Sequence, residues 1–304
     1  MIVSSDPVAR RADDPAQEPA SAALKRCCAR LYESEGARWL LGESFHPGGL
    51  ALTARLGAHL NLRKGDRVLD VASGRGASAL HLAERFGCSV LGIDYGCESV
   101  AAANAEAAAR GVSDRVSFRH ADAESLPFED GAFDALVCEC AFCTFPDKAR
   151  AAREFARVLR ADGRLGLSDL TRVTELPQEL EGLLAWIACI ADAQPVERYV
   201  ENLRGGGFVV ESIELLGEVL QQLVQQVRGR LLAAEMMRGL EKIELPGFDF
   251  VAARRVAQAA AEAIERGQIG YALITASRRC IVPSTAHSTE LDAALGLPPG
   301  AGSA

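Results

Sequence analysis

The sequence predicts an α/β fold, a parallel sheet with helices on both faces and a helical insertion ahead of its last strand. Two observations predict it. Short apolar runs alternate with helical stretches through the middle of the chain, and each run stops at a small or acidic residue. After Ser168 the pattern changes to long helical stretches with two further apolar runs among them.

The elements follow in order. RVLDVA (67–72) is a buried strand that breaks into SGRGAS, and the stretch ALHLAERFG is a helix. CSVLGID (88–94) is a second strand, and ESVAAANAEAAARG is built from strong helix formers with Gly111 as its stop. RVSFRHAD (115–122) alternates as a third strand, and FDALVCEC (133–140) is a continuous buried run. KARAAREFARVL is an amphipathic helix, and ADGRLGLSDL (161–170) is a turn and strand. ELEGLLAWIACIADA and PVERYVENLRGGG read as helices, and GFVVESIELL (207–216) and IGYALITASR (269–278) as strands. The helical stretch between those strands is far longer than a hairpin needs, which predicts a cap, a packing extension or an oligomer interface at about 217–267. Residues 1–22 are rich in Ala, Pro, Asp and Arg and predict a tail, as do residues 281–304. The folded domain is expected over 23–280.

Composition narrows the function. Across 304 residues the net charge is −8, and no basic stripe with interleaved aromatics occurs, so nucleic acid is not the expected partner. No long apolar run predicts a membrane span. Without a secretory leader pattern, the nine cysteines are expected as thiols in a cytoplasmic setting.

Ligands of parallel sheets sit at the carboxyl ends of the strands. There the sequence places Asp70, then the small residues Ala72, Ser73, Gly74 and Gly76. Asp94 ends the second strand, where a carboxylate can accept two ribose hydroxyls, and Asp122 ends the third, where it can meet an adenine amino group. A Gly-rich loop alone also fits dinucleotides. The full Gly-x-Gly-x-x-Gly spacing is missing, however, and Asp70 would repel a pyrophosphate and suit a cation.

DVASGRG, GIDYG, DAESLPF and LRADGRLGLSD, in that order and on those strand ends, resemble the motifs of class I S-adenosylmethionine-dependent methyltransferases. The resemblance covers about residues 35–280 and implies a Rossmann-like seven-stranded sheet with S-adenosylmethionine as cofactor. It implies that Asp70, Ala72, Ser73, Gly74 and Gly76 line the methionine portion. Asp94 and Tyr95 would hold the ribose, Asp122, Ala123 and Glu124 would flank the adenine, and Glu139 would also face the cofactor. Ala72 stands where that family usually has glycine.

The stretch CECAFC brings Cys138, Cys140 and Cys143 within six residues, at the strand end that, by the resemblance, would face the transferred methyl group. Strand alternation puts Cys138 and Cys140 on one face and Glu139 on the other. Zinc binding, a redox pair, buried packing and capture of a soft ion by thiolates all fit this spacing. ECAFCTFPDKARAAREFARVLRADGRLGLSD is similar to a segment of arsenite methyltransferases, which implies Cys140 and Cys189 as metalloid ligands, with Cys138 or Cys143 as a third sulfur. Ala188 replaces the acidic residue that precedes the second cysteine in that family, and its C-terminal cysteine pair is reduced to Cys280. The alternatives are a methyltransferase of a small organic metabolite, with His46 or Glu139 as base, and a non-catalytic cofactor- or metal-binding sensor.

Overall fold

The computed structural model describes residues 20–33, 46–176, 180, 190, 192–239 and 249–278. The elements run α1 (Ala20–Glu33), α2 (Gly49–His59), β1 (Arg67–Val71), α3 (Ala77–Phe86), β2 (Ser89–Asp94), α4 (Cys97–Ala109), β3 (Val116–His120) and β4 (Phe133–Glu139). They continue with α5 (Lys148–Val158), β5 (Leu159–Arg172), α6 (Val196–Gly205), β6 (Val209–Leu215), α7 (Gly217–Gly239), α8 (Phe250–Glu265) and β7 (Ile269–Ser277).

The seven strands form one sheet in the order β3-β2-β1-β4-β5-β7-β6. β1 to β5 pair in parallel, in registers such as Asp70↔Gly92 and Val71↔Cys138. β7 runs antiparallel to both β5 and β6, so the sheet is mixed at that edge. The apolar runs could not reveal this, because a buried strand has the same composition in either direction.

The central strands are apolar because both their faces are covered. Val68, Leu69, Val71, Leu136 and Val137 are fully buried. α2 packs on α3, α4 lies along β3, and α5 packs on α6. α5 starts where Asp147 accepts a hydrogen bond from Arg150 N at 2.8 Å. Its apolar stripe of Ala151, Ala152, Phe155 and Ala156 is buried.

One expectation changes: the predicted tail runs to residue 22, but α1 begins at Ala20 and lines a cavity. The stretch 217–267 is helical as expected and holds α7 and α8, which pack on each other through Leu231, Ala253 and Ala257. The helix expected over ELEGLLAWIACIADA, including Cys189, lies outside the described residues apart from a few positions, as do residues 1–19 and 279–304.

Candidate active site

A cavity of about 160 Å³, partly open to solvent, lies at the carboxyl ends of β1, β2 and β4. The loop after β1 builds its floor. Ala72 has a φ of 59° and Gly74 of 52°, so the chain turns sharply out of the strand. Ser73 N donates to Ile93 O at 2.9 Å, which ties this turn to β2. Nothing lies within 4 Å of where a Gly74 Cβ would stand, so the backbone there is open to a ligand. Gly76 has a different role. It does not line the cavity; its φ is 86°, and a Cβ would meet the Phe118 ring at 2.4 Å.

Asp94 is fixed at the end of β2 by two backbone donors, Gly74 N at 2.8 Å and Gly96 N at 2.7 Å. Burial still raises its carboxyl above the usual range, against those hydrogen bonds. Asp70 is 2% exposed, and its Oδ2 has no hydrogen-bond partner. Burial, followed by the charges of Glu139 and Asp94, pushes its carboxyl well up. Tyr95 packs against His120 with ring centroids 5.6 Å apart.

At the end of β4, Glu139 Oε2 accepts hydrogen bonds from Ser78 Oγ at 2.7 Å and Thr53 Oγ1 at 2.9 Å. His46 Nε2 lies 3.7 Å from the same oxygen and 3.3 Å from Thr53 Oγ1. Glu139 Oε1 is buried without a partner. His46, Ser78, Glu139 and Cys140 all line the cavity. At the opposite end, Lys25 Nζ bridges Asp122, at 2.8 and 2.9 Å, and Glu124 Oε2, at 2.6 Å.

The expected site residues therefore separate. Asp70, Ala72, Ser73, Gly74, Asp94, Tyr95, Asp122, Ala123, Glu139 and Cys140 line one cavity. Glu124 lies beside it and accepts from Asp147 N at 2.8 Å. Cys138 and Cys143 are 0% exposed and do not line it. The Cys138 thiol is pushed well above its usual range, first by burial, so the thiolate that a soft ion needs is disfavoured. Cys143 N donates to Asp169 Oδ2 at 2.8 Å.

The alternation expected for CECAFC fails at one residue. β4 ends at Glu139, and Cys140 turns to a φ of 53°. Glu139 and Cys140 thus share the cavity while Cys138 packs inside the sheet. Among the described residues, no group of three or more His, Cys, Asp or Glu is placed to hold a metal ion. Cys189 lies outside the described residues. Sequence reading missed Lys25, Cys28, Tyr32, Thr53 and Ser78. The first three sit within the expected domain in a stretch to which the sequence assigns no element, and hydroxyl residues carry no motif of their own.

The donor set suits a cationic ligand. Asp70, Asp94, Asp122 and Glu139 line the cavity, and two of these carboxylates carry an unpartnered oxygen. A sulfonium with an ammonium group, a ribose and an adenine matches these acceptors and the open turn at Gly74.

Comparison with known proteins agrees. Residues 69–167 match the family described as Methyltransferase domain. The chain is 32% identical over 235 residues to the 27-O-demethylrifamycin SV methyltransferase of Amycolatopsis mediterranei, covering 75% of this chain and 82% of that one. The crystal structure of the [4+2]-cyclase SpnF superposes with a TM-score of 0.67 at 25% identity, covering 86% of this chain and 98% of that one. A geranyl diphosphate C-methyltransferase from Streptomyces coelicolor A3(2), in complex with Mg2+, geranyl diphosphate and S-adenosyl-L-homocysteine, shares the fold with a TM-score of 0.67 at 18% identity, covering 86% of this chain and 100% of that one. S-adenosylmethionine is therefore the cofactor, and the chain belongs to the class I S-adenosylmethionine-dependent methyltransferases.

Proposed function

We propose that this enzyme methylates a hydroxyl group of a small organic acceptor, in a cytoplasmic setting, with Glu139 as proton acceptor. The observation that carries this reading is the Glu139 carboxylate. One oxygen is held by Ser78 and Thr53, the other is buried and unpartnered, and the residue lines the cavity. A hydroxyl acceptor needs a group that takes its proton, whereas a metalloid attacks through a lone pair and does not. The relative named for a 27-O-demethyl substrate supports the same chemistry.

S-adenosylmethionine supplies a methyl group already activated on a sulfonium. The protein contributes placement and a dry site. Asp94 and Tyr95 would hold the ribose, Asp122 and Ala123 the adenine end, and Asp70 with the open turn at Gly74 the methionine end. Glu139 Oε1 would accept the hydroxyl proton as the acceptor oxygen is methylated. Its other oxygen stays anchored, so the carboxylate keeps its aim. The proton then leaves to His46 or to water. The apolar wall of Tyr32, Ala29 and Phe145 favours an acceptor with an apolar body.

The metalloid reading has less support, because of the CECAFC thiols only Cys140 lines the cavity. The test is S-adenosylhomocysteine formation with a panel of phenols and aliphatic alcohols, run beside arsenite with glutathione. Glu139→Gln should lower hydroxyl turnover by about 10²–10³-fold and leave cofactor affinity within about twofold. Turnover of arsenite alone, undiminished by Glu139→Gln, would refute the proposal.

A further inference from the structure

The hydrogens around Glu139 are fixed by their buried partners. His46 is 6% exposed and Thr53 is 0% exposed. His46 sits in the turn before α2, where its carbonyl accepts from Gly49 N at 3.3 Å. Its ring Nδ1 lies 3.2 Å from Pro47 O. A carbonyl only accepts, so the hydrogen of the neutral ring is on Nδ1 and Nε2 carries a lone pair. Nε2 faces Thr53 Oγ1 at 3.3 Å and Ser78 Oγ at 3.4 Å. Each hydroxyl has one hydrogen, and both are donated to Glu139 Oε2, at 2.9 and 2.7 Å. None is left for Nε2.

This network is therefore one hydrogen short, and one added proton completes it in either of two ways. On Nε2, the proton is donated to Thr53 Oγ1. On Glu139 Oε2, it is donated to Thr53, whose own hydrogen then turns to Nε2. The two arrangements differ only by short hydrogen shifts along Oε2, Oγ1 and Nε2. Thr53 does not line the cavity, so water there does not interrupt this path, whereas His46 does line it.

We infer that His46 stores the proton that Glu139 takes from the acceptor, and that Thr53 passes it on. This rests on the hydroxyl reading of the site. The acceptor O–H bond breaks as its proton goes to Glu139 Oε1. The oxygen's electron pair takes the methyl group, and the C–S electron pair stays on sulfur, which ends as a neutral thioether. A protonated Glu139 is held less strongly by Thr53 and Ser78 than the carboxylate was. Its terminal torsion is two-fold, so a half-turn presents the new O–H to Thr53. Thr53 Oγ1 takes that proton as its own hydrogen passes to Nε2. Carboxylate and imidazolium then lie side by side, with Nε2 3.7 Å from Oε2. Glu139 is a base again, and His46 later releases the proton to solvent through the cavity. His46 acts through Glu139 rather than on the acceptor.

The test is time-resolved S-adenosylhomocysteine formation by the full chain, with S-adenosylmethionine and whichever phenol or aliphatic alcohol of the panel turns over fastest. His46→Gln keeps a hydrogen-bonding side chain but takes no proton. Its steady-state rate should fall about 10²-fold and its first turnover far less, so that product appears as a burst followed by a slow phase. Imidazole added to the buffer should speed that slow phase and leave the unmodified protein unchanged. Thr53→Val should slow the steady state as well, and Thr53→Ser, which keeps the hydroxyl, should recover it. Without any acceptor, 15N spectra of the histidine-labelled protein at the pH of turnover should show hydrogen on His46 Nδ1 and a bare Nε2, the signal being assigned with His46→Gln. Hydrogen on Nε2, or equal losses in both phases that imidazole does not relieve, would overturn the relay. Turnover of no member of the panel would overturn the hydroxyl reading itself, and the relay with it.

Discussion

Asp70 shows what a functional carboxylate costs a fold. It is buried at the end of β1 beside Glu139 and Asp94, with one oxygen unpartnered. Its carboxyl is raised in the folded protein, so the folded state holds this proton more tightly than the unfolded chain does. The stability it contributes is therefore present at low pH and lost as pH rises through the folded value. Asp70→Asn should raise the melting temperature at pH 8 and gain progressively less towards pH 4, as thermal unfolding across a pH series would show. A constant gain at every pH would mean that the charge is not the cause. The same residue was legible in the sequence, since an acidic residue at a strand end before small residues has few purely structural uses. Thr53 and Ser78 were not. They meet Glu139 across separations of 86 and 61 residues, and only the fold brings them together.

Elements were legible where their composition had a single explanation. β1 and β4 are continuous apolar runs because helices cover both faces, and the sequence shows them with nearly the observed limits. α1 was missed because Pro and acidic residues dominate the segment before it, although Leu24, Cys28 and Tyr32 recur at helical spacing. The α7–α8 hairpin is a distinct case. It has its own small cluster of Leu231, Ala253 and Ala257 with Val227, and α8 is capped where Asp249 Oδ1 accepts from Ala252 N at 2.9 Å. Removing that cap costs about 1 kcal/mol. Asp249→Ala should therefore speed hydrogen exchange in α8 about fivefold and leave β4 unchanged. Equal acceleration in β4 would show that hairpin and sheet open as one unit.

At the scale of the molecule, the sheet explains why the acidic groups meet. Parallel strands β1, β2 and β4 end at one edge, so Asp70, Asp94 and Glu139, far apart in sequence, face one cavity. The mixed edge at β5, β7 and β6 lies away from that convergence, so the sequence could leave the direction of β7 open and still locate the site. What the sequence could not supply was the ion pair between Lys25 and Asp122, which joins residues 97 apart and leaves no periodic trace.

The most direct measurement is S-adenosylmethionine affinity by calorimetry for the unmodified protein, Asp94→Asn and Cys143→Ser. The cavity predicts a loss of about tenfold or more for Asp94→Asn, since a charged acceptor of ribose hydroxyls is replaced by a neutral amide. It predicts no change beyond about twofold for Cys143→Ser, whose side chain is buried away from the cavity. Unchanged affinity in Asp94→Asn, or a large loss in Cys143→Ser, would contradict the placement of the cofactor in this cavity.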